Sequence, residues 1–136
     1  MNHLSPQLSL PYVIELLELG MVREALSLIQ KLPPDVRESS PGRRAELQAT
    51  TSLGLWQRAL KLAWSLRLGS TNDRNAAAHA FQTLAAEAFK RGKEMEALKL
   101  ANASLQARPE QIDDFVLDER FPERFRARFG LKFQPF

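Results

Sequence analysis

His3 and His79 are the only histidines in the chain, and their separation rules out the His-x-x-x-His spacing that sets two zinc ligands on one helix face. Cysteine is absent, which excludes disulfides, thiolate metal sites and cysteine nucleophiles. Asp113, Asp114 and Asp118 gather three carboxylates near the end of the chain, yet no calcium ligand loop surrounds them. They fit better as favourable charge at a helix N-terminus. Neither a Gly-x-x-x-x-Gly-Lys phosphate loop nor a Gly-x-Gly-x-x-Gly turn occurs. The expectation is a chain that is not an enzyme and that uses no metal and no cofactor.

The elements that position these residues follow from the pattern of apolar side chains. Hydrophobic residues make up 44% of the 136 residues and charged residues 26%, an ordinary balance for one globular domain. No apolar run approaches the roughly 20 residues that span a bilayer, and the start, Met1 to Pro6, lacks the basic and apolar segments of a secretion signal. A cytoplasmic location is expected, in keeping with the lack of cysteine. The net charge of +3 is unevenly spread: residues 120–136 carry +4 and the remainder −1. The high pI therefore belongs to the tail, which weakens any inference to nucleic acid.

Three segments share one pattern, Gly-x-x-x-x-Ala-Leu-x-Leu followed by a small or aliphatic residue. They begin at Gly20, Gly54 and Gly92, which lie 34 and 38 residues apart, and place Ala25, Ala59 and Ala97 in register. Each glycine stands between two apolar helical stretches. A helix that stops and reverses needs a residue at positive φ just past its end, where glycine meets no Cβ clash. The alanine lets the second helix cross close to the first, and the leucines continue a buried stripe at helical spacing.

The preceding helices are expected at residues 10–19 with Ser9 as cap, at 43–53 with a start from Ser40 and Pro41 in the first helical position, and at 74–91 with a cap from Thr71-Asn72-Asp73. In the last of these, Phe81, Leu84, Ala85 and Ala88 form an i, i+3, i+4, i+7 stripe. Pro33-Pro34, Ser39 to Gly42, Gly69 to Asn72 and Pro109 punctuate the chain between the hairpins. Trp56 and Trp64, on the second helix of the middle hairpin, are read as packing between hairpins.

On these residues the chain resembles a tetratricopeptide repeat protein of bacterial type over about residues 6–110. Gly20, Gly54 and Gly92 match the inter-helix turn of that family. Ala25, Ala59 and Ala97 match its characteristic small residue, Phe81, Leu84 and Ala85 its first-helix pattern, and Pro109 its closing proline. Arg43 and Glu46 depart from it, standing where the family prefers apolar residues. The stretch Leu117 to Phe125 is similar to the segment that follows the last repeat, where an Asp-x-x-Phe turn leads into a closing helix. The resemblance implies an all-α fold, an α-α superhelix or right-handed solenoid of three hairpins (about 6–39, 40–73 and 74–110), with a capping helix and tail at 111–136, all as one domain. A solenoid needs such a cap because each repeat buries its apolar face only against a neighbour.

The resemblance also implies a concave groove lined by the first helix of each hairpin. Carried over, its register places Leu10, Ile14, Leu17 and Glu18 there from the first hairpin, and Arg44, Gln48, Thr51 and Ser52 from the second. The third contributes His79, Gln82, Ala86, Phe89 and Lys90. Leu10 and Ile14 stand where relatives that clamp a terminal carboxylate carry Lys and Asn, so that function is not implied. Six of the eight phenylalanines fall in residues 115–136. Phe115, Phe121 and Phe125 are read as the cap, and Phe129, Phe133 and Phe136 as an apolar and basic segment able to contact a partner. The expected function is a protein-interaction module, adaptor or small chaperone that binds a protein or peptide. A second copy of the chain is one candidate partner, and a membrane is not expected. The alternative is a nucleic-acid-binding helical repeat using basic residues of the tail and repeats; interleaved acids and the lack of an aromatic–basic platform count against it.

Overall fold

The computed structural model describes residues 8–127, and every regular element among them is helical. Three pairs of helices follow one another: α1 (Leu10–Glu18) with α2 (Val22–Ile29), α4 (Ser40–Ser52) with α5 (Trp56–Leu66), and α6 (Thr71–Lys90) with α7 (Glu94–Ala107). A single turn of helix, α3 (Pro34–Arg37), joins the first pair to the second. After α7 come a 3-10 turn at Pro109–Gln111, the short α8 (Ile112–Leu117) and a further helical segment over 123–127.

The three turns between paired helices are closed in the same way. Gly20, Gly54 and Gly92 have φ of 80°, 72° and 78°, the only positive values among the described residues. At each, the glycine N–H donates to a carbonyl three residues back, and the next N–H reaches five residues back: Met21 to Leu16, Leu55 to Thr50 and Lys93 to Ala88, each at 2.9 Å. This double bond satisfies the last carbonyls of the first helix and releases the chain into the second. Ala25, Ala59 and Ala97 are fully buried at the crossings that follow.

The helix starts differ from expectation at two places. Ser9 caps α1, its Oγ accepting from the Tyr12 N–H at 3.3 Å. α4, however, is capped by Ser39, whose Oγ accepts from the Gly42 N–H at 3.2 Å, so Ser40 and Pro41 already lie inside the helix. α6 is capped by Ser70 rather than by Thr71 to Asp73: Ser70 Oγ accepts from the Asp73 N–H at 3.2 Å while Asp73 Oδ2 accepts from the Ser70 N–H at 3.3 Å. A short acid three residues after a serine closes this reciprocal cap, which extends the helix by nearly a turn.

The core forms three adjoining clusters. Val13, Leu16, Leu26 and Ile29 fill the first pair and meet Ala45 and Ala49 of α4. Leu47, Ala63, Leu66, Phe81 and Leu84 join α4, α5 and α6, with Trp64 edge-on to Phe81 at 5.0 Å between ring centres. Trp64 is thus a packing residue on one edge, although 46% of it is exposed. The third cluster sets Phe115, Phe121 and Phe125 against Ala85, Ala97, Ala101 and Leu105. These three phenylalanines are at most 1% exposed and cover apolar surface of α6 and α7 that would otherwise meet water. Phe121 and Phe125 stack at 5.0 Å, and Phe89 meets Phe125 edge-on at 5.3 Å.

Candidate functional site

The first helix of each pair contributes to one open cavity of about 550 Å³. α1 gives Ile14 and Leu17; α4 gives Arg44, Ala45, Gln48, Thr51 and Ser52, with Pro41 at its start; α6 gives Asn72, Ala76, His79, Ala80 and Thr83. These positions recur at three- and four-residue intervals along each helix, so one face of α4 and one face of α6 form the walls. The α1 end is apolar, and along α4 and α6 polar side chains are interspersed with Ala45, Ala76 and Ala80. Among the described residues, Arg44 is the only formally charged side chain in the lining.

Seven of the residues expected in a groove meet here: Ile14, Leu17, Arg44, Gln48, Thr51, Ser52 and His79. The others lie elsewhere. Leu10 is half-buried against the first core cluster, and Glu18 is exposed on α1 outside the lining. Gln82 is 7% exposed and engaged in a buried hydrogen-bond chain, while Ala86 is 6% exposed in the third core cluster. Phe89 packs on Phe121 and Phe125, and Lys90 is exposed at the last turn of α6. Gln82, next to the lining Thr83, faces Asp118 and Gln111 from another side of α6. For Ala86, Phe89 and Lys90 the physical reason is the length of this helix. Its 20 residues run past the second helix pair, so its last two turns meet the C-terminal segment instead of the cavity. Phe129, Phe133 and Phe136 lie outside the described residues, as does His3. Pro41, Ala45, Asn72, Ala76, Ala80 and Thr83 were missed; counting along the helices from Gln48 and His79 in steps of three and four reaches all of them.

Behind the walls lie three carboxylates held by cations. Asp73 accepts from Arg44 Nη1, from Ser40 Oγ at 3.1 Å and from the Ser70 N–H. Burial pushes its carboxyl up, but these hydrogen bonds outweigh burial and hold it below the ordinary value. The Asp73 bond pins the Arg44 side chain against the α4–α6 seam; the remaining guanidinium N–H groups have no partner among the described residues. Glu46, only 7% exposed, stands where apolar residues were expected. It accepts from Arg37 of α3 at two bonds of 3.1 Å and from Arg58 of α5 at 2.6 Å. Again burial works upward and the arginines win, leaving the Glu46 carboxyl lowered.

The third carboxylate belongs to a chain of side chains that ends at the cavity. Arg120 clasps Asp118 through Nη2 at 2.7 Å and Nε at 3.0 Å. Gln82 Nε2 donates to Asp118 Oδ2 at 2.8 Å, and Gln111 Nε2 donates to Gln82 Oε1 at 2.6 Å. Gln111 Nε2 also lies 3.2 Å from His79 Nδ1, and its Oε1 accepts from Arg108 Nη1 at 2.9 Å. Burial raises the Asp118 carboxyl, but Arg120 and Gln82 together hold it below its usual value. Asp118 is therefore not helix-terminal charge like Asp113 and Asp114, which sit exposed in the first turn of α8.

Many basic side chains that might serve a polyanion are already paired. Arg37 and Arg58 hold Glu46, Arg91 holds Glu87, and Arg124 holds Glu94, while Arg44, paired with Asp73 through one N–H group, keeps others without a partner among the described residues. No helix among the described residues is long and apolar enough to cross a membrane. Comparison with protein-family models, with curated proteins and with solved structures gives no match for this chain.

Proposed function

We propose that the chain is a non-catalytic protein-interaction module whose three hairpins form a right-handed, tetratricopeptide-like superhelix, closed at one end by the phenylalanine-rich segment. A segment of a partner protein lies in the groove between α1, α4 and α6, as in an adaptor or a small client-specific chaperone. One observation carries this reading: the first helices of all three pairs, far apart in sequence, line a single open cavity with an apolar end at Ile14 and Leu17 and a polar wall at Arg44, Gln48 and His79. A cavity of this size with few, separated polar groups suits a peptide laid along it better than an enclosed small ligand. The repeated glycine turns and buried alanines support the repeat architecture.

Gln48 is exposed within the groove, and Gln48→Trp fills it with a neutral side chain while leaving the core untouched. In affinity capture from cells that express the chain, the wild type is expected to retain a protein that the folded Gln48→Trp variant loses. Equal capture by both would sink the groove as the docking site.

A further inference from the structure

We propose that the groove takes an acidic, partly apolar peptide segment, with apolar side chains on Ile14 and Leu17, oxygen acceptors on Arg44 and His79, and Gln111 holding His79 as a fixed donor. This rests on the docking reading above and gives the occupant its chemistry.

The argument starts at the two ends of the buried hydrogen-bond chain, where chemistry leaves no choice of direction. Arg108 can only donate, so the oxygen of the Gln111 amide faces it. The Gln111 NH2 group must then face Gln82 and His79. At the other end, Asp118 is held as a carboxylate by Arg120 and can only accept, which turns the Gln82 NH2 toward it and the Gln82 oxygen toward Gln111. Both amides are thereby oriented by neighbours that can act in only one sense. An amide donor opposite His79 Nδ1 requires a lone pair on that nitrogen. The imidazole proton is left on Nε2, which has no partner among the described residues, on a side chain that is exposed and lines the groove. His79 therefore presents an N–H donor rather than an acceptor.

Arg44 has the same polarity. Asp73 takes one of its N–H groups from behind, and Asp73 itself is 4% exposed and absent from the lining, so what faces the groove is the guanidinium. Among the described residues, no carboxylate lines the cavity to compete for it. The groove thus offers a cation and an oriented donor beside an apolar shelf, and the complementary segment carries carboxylates beside an apolar side chain. A segment that brought only donors would leave these N–H groups without acceptors.

Random peptides displayed on phage and selected on the full chain provide the test. Selected sequences are expected to be enriched in Asp and Glu next to Leu, Ile or Phe. Replacing those acids by their amides in synthetic peptides should weaken binding about tenfold, as should Arg44→Gln in the protein. Binders blocked by Gln48→Trp but carrying no acidic preference would overturn this inference and leave the docking groove standing. Binders indifferent to Gln48→Trp would overturn the groove itself, and with it this inference. A single-stranded oligonucleotide that displaces the peptides with comparable affinity would overturn the choice of partner. The role of Gln111 is read from a double-mutant cycle: His79→Phe should weaken acidic peptides in the wild type and have no further effect in Gln111→Met. Additive losses would remove the positioning role. Should Gln111→Met fail to fold, nitrogen NMR of His79 in the wild-type chain decides instead, since a proton on Nδ1 contradicts the assignment.

Discussion

At the scale of single residues, stability rests on a few buried charges whose partners come from other helices. Glu46 is the clearest. Its carboxylate joins α3, α4 and α5 through Arg37 and Arg58, both of which keep more than a third of their side chains in water. Glu46→Gln removes the charge but keeps the shape, and solvent around the arginines softens the loss. We expect about 1 kcal/mol of destabilisation in urea unfolding; a stabilised variant would show that burying the carboxylate costs more than its bonds return. Glu46, Asp73 and Asp118 all have lowered folded-state values. Such groups bind protons more tightly when unfolded, so the stability they add is present above the ordinary carboxylate range and is lost as pH falls through their folded values. The thermal midpoint should therefore hold near neutrality and drop below about pH 4, with a shallower drop in Glu46→Gln. A midpoint that rises on acidification would contradict the direction of all three shifts.

At the scale of elements, close approaches between backbones are set by the smallest residues. Ala59 is fully exposed to its neighbours and not at all to water, at the crossing of α5 with its partner. Ala59→Leu should overpack that crossing and cost about 1–3 kcal/mol. An unchanged melting temperature would mean that the repeat register drawn from Gly54 is wrong. Gly42 makes a sharper case. Glycine to alanine inside a helix ordinarily stabilises by roughly 1 kcal/mol, but a Cβ on Gly42 would lie 2.3 Å from the Val36 carbonyl oxygen and 2.6 Å from that of Arg37. Both are backbone atoms of the α3 turn, so the helix start must move. Gly42→Ala is expected to lower the melting temperature, and a rise would show that α3 yields freely. The helix caps teach the same lesson about local rules. Ser9 was legible as a cap because it directly precedes Leu10-Pro11. Ser39 and Ser70 were not singled out, because Ser40 and Thr71 to Asp73 offer equivalent side chains, and only the closed hydrogen bonds decide which one stands at the boundary.

For the whole molecule, the C-terminal segment decides whether the last helix pair has a buried or an exposed outer face. Phe125 is fully buried among Phe89, Phe121 and the small residues of α6 and α7. Phe125→Ala should cost about 3–5 kcal/mol in chemical denaturation; a loss below about 1 kcal/mol would show that this segment is not part of the core. The sequence by itself determined the three glycine turns, the alanine crossings and the phenylalanine cluster, because each depends on local backbone geometry or on a helical period that repeats within a few residues. The register carried over from the resemblance placed Ile14, Leu17, Arg44, Gln48, Thr51, Ser52 and His79 among the groove positions, and these line the cavity. Only the tertiary structure decided that the end of α6 leaves the groove, taking Phe89 with it, that Gln82 turns from another face of α6 to Asp118 and Gln111, and that Glu46 at an apolar position is matched by two arginines. Gln82 bonds to Asp118 across 36 residues and to Gln111 across 29. Pairing at such distances leaves no periodic trace in the chain: a buried amide or carboxylate is tolerated where its partner happens to arrive, and that is fixed by how the helices pack.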